Sequence, residues 1–186
     1  LLLSGVALSL IMDAVTRIIM LSAPNALGLH NVTFWLSGSL AGAKWGYLTL
    51  PFCAIIICMV ILLIHHRALN ALLMGDETAG TLGFNVGGLQ KMLVLAASLM
   101  AGTTIAVSGS IGFVGLMVPH ITRLLIGSDH KRVLPVCALI GGIMVVWVDV
   151  AARMVIAPEE LPLGILTAIF GGPFFIWLLK RNTGKI

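Results

Sequence analysis

The sequence predicts an all-α, polytopic transmembrane helical bundle of about six spans, with a short helix at the outer interface and a partly helical loop on the cytoplasmic side. Three observations carry this. Only 10% of the 186 residues are charged, against about 25% in an average soluble domain. Hydrophobic residues make up 59% and the mean hydropathy is +1.11. A chain this apolar cannot cover its surface with polar groups, so lipid is its expected solvent. Finally, the apolar residues gather into six runs separated by charged, Gly or Pro positions.

Those runs cover about residues 1–23, 48–64, 92–107, 113–126, 133–157 and 163–179. Each is expected to be helical, because a span in hydrocarbon must satisfy its own backbone hydrogen bonds. The first run ends before Pro24-Asn25, the second at His65-His66-Arg67 and the sixth at Lys180-Arg181. The fourth is short and carries Pro119. One domain over residues 1–186 is the natural division. The opening Leu1-Leu2-Leu3-Ser4 has neither Met nor a basic segment before the apolar run, so it does not read as a signal peptide and suggests an N-terminally truncated chain.

If the spans alternate, Arg67, Lys91, Lys131, Arg132, Lys180, Arg181 and Lys185 fall on one side, while Lys44 and, near its edge, Arg153 fall on the other. The positive-inside rule makes the first side cytoplasmic, and with it the C-terminus. Trp35, Trp45 and Tyr47 then lie at the outer interface, as an aromatic belt would. The net charge of +4 fits this flanking and not a nucleic-acid surface, since no basic stripe is interleaved with aromatics.

Two loops exceed simple turns. In the outer one, Val32-Thr33-Phe34-Trp35-Leu36 is amphipathic and suits a short interfacial helix. The inner one, Arg67 to Lys91, is apolar and helix-compatible but broken at Gly75 and Gly83, which predicts two short helices joined at glycines. Its apolar residues need cover from a partner protein or from the bundle itself.

Asp13/Arg17 and Asp149/Arg153 are both four residues apart inside spans, so each pair shares a helix face and can neutralise itself. Such residues either line a pathway or docking site, or specify packing. His120 stands alone and reads as structural, with no second ligand at i+3 or i+4. Cys53, Cys58 and Cys137 lack metal spacing and read as buried small hydrophobes. Recurrent glycines (38, 42 and 46; 109, 112 and 115; 141–142; 171–172) allow close backbone approach. Neither a phosphate-binding loop nor a GxSxG or HExxH motif is present, so no catalytic residue and no metal site is assigned.

The stretch from Gly109 to Arg123, GSIGFVGLMVPHITR, resembles a hallmark of the FecCD-type permeases, the membrane subunits of iron-siderophore, haem and cobalamin ABC importers. Asp129-His130 with a basic pair, Leu134-Pro135, Asp149 to Arg153, Glu160 to Gly164, Gly171 to Phe175, Gly75 to Ala79 and Leu82-Gly83 are similar to that family as well, over nearly the whole chain. The resemblance implies the fifth to tenth of ten membrane helices. It implies transport of an iron-siderophore or a related chelate such as haem or cobalamin; the residues themselves leave an ion-coupled secondary transporter as the alternative, with Asp13 and Asp149 as candidate coupling sites that each have an Arg neighbour.

On that resemblance Gly75, Asp76, Glu77, Ala79, Leu82 and Gly83 belong to a loop that couples to the ATPase. Arg153 meets a glutamate of the binding protein, and Asp13, Arg17, Phe34 and Trp35 are pathway or gate elements. The implied partners are an ABC ATPase, a periplasmic or lipid-anchored substrate-binding protein, a second permease copy and membrane lipid, with no nucleic acid. No cofactor is expected on this chain, ATP and Mg belonging to the ATPase. The implied location is the bacterial inner membrane, multi-pass.

Overall fold

A computed structural model describes residues 2–22, 26–156 and 160–183. In chain order the helices are α1 (Leu2–Leu21), α2 (Ala26–Leu36), α3 (Trp45–Ile64), α4 (His66–Leu72), α5 (Asp76–Thr81), α6 (Val86–Ser108), α7 (Val114–Ile126), α8 (His130–Val155) and α9 (Leu163–Thr183). No strand occurs among the described residues. All six apolar runs are helical, and both loop expectations hold. The outer loop forms α2, longer than its amphipathic core, and the inner loop forms α4 and α5. Pro24-Asn25, Glu159 and Lys185 lie outside the described residues.

Helix starts differ from the apolar limits for a local reason. α6 begins six residues before Met92, because the Asn85 side chain caps it by accepting from Gly88 N at 3.0 Å. α8 begins at His130 because Asp129 accepts from Lys131 N at 3.1 Å. Among the described residues four helices are long and apolar enough to cross a membrane, within α1, α3, α6 and α8. α7 and Leu163–Leu178 of α9 are shorter apolar helices. Thirteen residues of α7 reach about 20 Å, short of a hydrocarbon core of about 30 Å.

Residues 1–36 and 37–186 form two units. In the first, polar groups on apolar helices are satisfied locally. Ser9 donates to Val6 O and Thr16 to Met12 O, both at 2.8 Å, and on α2 Thr33 donates to Leu29 O at 2.8 Å. In the second unit α3 lies against α6, and α7 against α8 and α9. Pro51, Ala54, Cys58 and Leu62 recur along one buried stripe of α3, while most other faces remain apolar and exposed, as lipid allows. Of the cysteines only Cys58 is buried. Cys53 is exposed and Cys137 half-buried, a correction to the expectation for all three. A lipid-facing site is apolar too, so a cysteine there gains nothing more by facing the interior.

The irregular backbone gathers at two ends. At the first, Ser39 N donates to Ser108 O at 2.9 Å, Leu163 N to Gly38 O at 2.8 Å, Gly164 N to Ser37 O at 3.0 Å and Leu161 N to Ala152 O at 3.2 Å. These bonds join the segment after residue 36, the end of α6, the end of α8 and the start of α9. Beneath them Ala152, Leu163 and Leu166 are buried against Leu40, Ile111, Val148, Ala151 and Leu161.

The knot is tight enough to demand glycine at particular places. Gly38 has φ +85, and a Cβ there would lie 2.6 Å from Ser110 O, while a Cβ on Gly164 would overlap Ser37 O. Phe113, at φ 64, is the non-glycine residue that turns the chain into α7, and a Cβ on Gly171 would overlap its side chain. Gly42 and Gly46, equally spaced in sequence with Gly38, face open space.

Gly164→Ala should therefore cost about 1–3 kcal/mol in detergent, since the obstacle is backbone. Gly142→Ala in α8, with nothing within 4 Å, should be neutral or slightly stabilising. Thermal unfolding of both variants checks this. Equal stability for Gly164→Ala and wild type would contradict the packing described.

Candidate functional site

The loop between α3 and α6 is built around two glycines. Gly75 has φ 105, a region reserved for glycine, and reverses the chain between α4 and α5. Gly83, at φ 85, ends α5, with its N–H on Gly80 O at 3.0 Å. Asp76 and Glu77 occupy the first turn of α5, where the dipole favours acids, and Asp76 accepts from Gln90 Nε2 at 3.0 Å. Ala79 is completely buried and its N–H reaches Gly75 O at 3.0 Å.

The loop thus folds back on the bundle through Ala68, Leu69, Ala71 and Ala79, while Leu73, Met74 and Leu82 stay more than half exposed. The bundle itself covers one face of the segment, and the other face stays apolar and open. Beside it a notch of about 270 Å³ is lined by His65, Ala68, Phe84, Asn85, Gly88, Leu89 and Met92.

A polar clamp ties this loop to the turn before α8. Asn70 donates from Nδ2 to Asp129 Oδ1 at 2.8 Å. Its Oδ1 accepts from His130 N at 2.9 Å and meets His130 Nδ1 at 2.7 Å, which requires the Nδ1–H tautomer. Asp129 is held below the ordinary carboxylate value, first by Asn70 and then by the Lys131 N–H. The sequence alone gives Asn70 no role. The available signal was one amide among Ala and Leu on a seven-residue helix, where Asn has poor propensity and needs a partner. Asp129-His130 stood out only as part of a motif, with no role.

At the opposite end Arg153, in the last turn of α8, is engaged within the chain. Its Nε meets Asp149 Oδ2 at 2.9 Å, Nη2 meets Oδ1 at 3.3 Å, and Nη1 lies 3.5 Å from Glu160 Oε1. About 45% of the Arg153 side chain is exposed, so the pair is accessible at the surface. Arg17 and Asp13 pair at 2.8 Å on exposed faces of α1. Phe34 is half-buried and Trp35 exposed, both on α2. These four lie in the 1–36 unit, and the loop residues and Arg153 in the 37–186 unit. His120 rests edge-on against Phe174, ring centroids 6.3 Å apart. Among the described residues no three His, Cys, Asp or Glu gather as a metal site.

The bundle thus presents a glycine-hinged helical loop, clamped to α8 at one end, and an ion-pair cluster at the other. The FecCD transport family matches residues 1–181. The chain belongs to the FecCD transport family. It is 39% identical to the hemin transport system permease protein HmuU of Yersinia pestis over 98% of this chain and 54% of that one. To the Fe(3+) dicitrate transport system permease protein FecD of Escherichia coli it is 41% identical, over 96% and 56%. To the vitamin B12 import system permease protein BtuC of Vibrio cholerae it is 39% identical, over 98% and 54%.

A solved structure described as an inward-facing conformation of a metal-chelate type ABC transporter superposes with a TM-score of 0.87 at 33% identity, covering 95% of this chain and 57% of that one. The FecCD chain spans about half the length of the relatives it matches. It is a membrane-embedded helical protein, and those relatives are transport permeases, not enzymes.

In this FecCD chain, Asn70→Ala should release the clamp. A partly buried His130 N–H would lose its partner, costing about 1 kcal/mol or more. The Asp129 carboxyl should rise toward its ordinary value. A carboxylate depressed in the fold stabilises above its unfolded pKa and loses that contribution as pH falls through its folded value. The variant should therefore lack part of the acid-dependent loss seen in wild type. Unfolding midpoints at neutral and acidic pH check this, and identical profiles would contradict it.

Proposed function

We propose that this chain is part of the permease subunit of an ATP-binding-cassette importer that moves an iron-siderophore, or a related chelate such as haem or cobalamin, into the cytoplasm. The observation that carries the reading is the Gly75–Gly83 loop, folded onto the bundle yet presenting Leu73, Met74 and Leu82 outward. An exposed apolar patch on a folded loop needs a protein partner, and an ATPase subunit supplies one. Gly75, Asp76, Glu77, Ala79, Leu82 and Gly83 form the coupling segment, and ATP with Mg is bound and hydrolysed on the ATPase. This chain itself carries no cofactor.

The basic residues Arg67, Lys91, Lys131, Arg132 and Lys180 favour a cytoplasmic location for that end of the bundle, and with it the C-terminus, in the bacterial inner membrane. The opposite end then faces a periplasmic or lipid-anchored binding protein, which docks at Arg153 through a carboxylate that competes with Asp149 and Glu160. A second permease copy completes the pathway, to which Asp13, Arg17, Phe34 and Trp35 contribute. Residues 1–186 function as one permease domain. Nucleotide-driven movement of the coupling segment alternates access to that pathway. An ion-gradient mechanism is less well supported, because Asp13 and Asp149 are each occupied by an arginine.

Gly83→Val tests the coupling role. Its Cβ would meet open space, so the cost is confined to the positive φ. In the reconstituted complex the variant should assemble and hydrolyse ATP while chelate uptake falls at least tenfold. Normal uptake with normal ATPase binding would refute the assignment.

A further inference from the structure

A second polar feature at the clamp end is not used by coupling. Between the end of α7 and the start of α8 lies a cleft of about 840 Å³, lined by Leu125, Ile126, Asp129, Lys131, Arg132, Pro135 and Val136. Its lining is mixed, with Leu125, Ile126, Pro135 and Val136 beside two cations and one acid. Both arginines with carboxylate partners on long apolar helices, Arg17 and Arg153, are ion-paired, but Lys131 and Arg132 are exposed and make no ion pair among the described residues. The single acid of the lining, Asp129, is partly occupied, its Oδ1 accepting from Asn70 and from Lys131 N. The cleft is therefore left with net positive charge.

The helix N-terminus does not account for an anion here. The N–H groups that open α8 are taken, His130 N by Asn70, Lys131 N by Asp129 Oδ1, and Arg132 and Val133 N by Asp129 O at 3.0 and 2.9 Å. Any anion would be held by the Lys131 and Arg132 side chains. The cleft also lies where two apolar helices meet end to start, so the same site offers cations to a phosphate and apolar surface to acyl chains.

We propose that this cleft binds the headgroup of an anionic phospholipid, with Lys131 and Arg132 on its phosphate and Leu125, Ile126, Pro135 and Val136 against the glycerol and upper acyl chains. A soluble phosphate would use the cations and leave the apolar wall wet. A lipid matches both halves of the lining. The proposal stands apart from the ATP-driven reading, since it needs only a membrane-embedded bundle.

The test is native mass spectrometry of the full permease, purified in detergent and equilibrated with mixed micelles containing phosphatidylglycerol or phosphatidylcholine. Wild type should retain phosphatidylglycerol in preference to phosphatidylcholine. Lys131→Gln/Arg132→Gln, at exposed positions, should weaken that retention about tenfold or more. Lys180→Gln, which removes a cation outside the cleft, should not. Val136→Trp, which fills the cleft and leaves both cations, should also reduce retention. Unchanged preference in the double glutamine variant would overturn the proposal. So would displacement of phosphatidylglycerol by excess inorganic phosphate, which would make this a free-anion site.

Discussion

Hydrocarbon offers no hydrogen-bond partners, so every backbone N–H and C=O at membrane depth must find one within the protein. The rest of this structure follows from that constraint. It forces the apolar runs into helices and drives the irregular backbone to the ends, where a few named bonds close it. At one end Ser39, Leu161, Leu163 and Gly164 donate backbone bonds to Ser108, Ala152, Gly38 and Ser37 across three helix termini. At the other, where side chains replace backbone partners, Asn70 saturates the turn before α8. α8 is the element that touches both closures.

This gives the two ends different mechanical characters. The knot around Gly38 and Gly164 is made of backbone and small residues, with Ala152, Leu163 and Leu166 buried beneath it, so it has little freedom to rearrange. The clamp end adds one amide to the buried Ala68, Leu69, Ala71 and Ala79, and the loop it holds turns on two glycines at positive φ with apolar side chains outside. Exposed side chains and hinge glycines are the physical marks of a face that can move. α8 runs from the clamp to the end where Arg153, Asp149 and Glu160 meet.

Much of this was legible in the sequence, because periodicity and composition report on solvent. The apolar runs, α2, and the break of the inner loop at Gly75 and Gly83 all follow from residues acting locally. Long-range satisfaction was not legible. Asn70 finds Asp129 and His130 some sixty positions away, and no spacing rule announces that pairing. The glycine series at 38, 42 and 46 looked uniform, yet only Gly38 is pressed by a neighbouring carbonyl, since contact depends on which segment crosses above it. Arg153 showed its i, i+4 partner in sequence, while Glu160 joins it only because the chain folds back at Leu161.

The Asn70 hydrogen bonds make α4 and the start of α8 one rigid link. Spin labels at Arg67 and Ser128, both exposed and on either side of the Asn70 clamp, report this directly in the proposed ATP-driven importer. The distance distribution between them should stay narrow and constant through the nucleotide cycle, and broaden in Asn70→Ala. A distribution that shifts by several ångströms between nucleotide states with Asn70 intact would contradict the rigid link and the route from loop to α8 that depends on it.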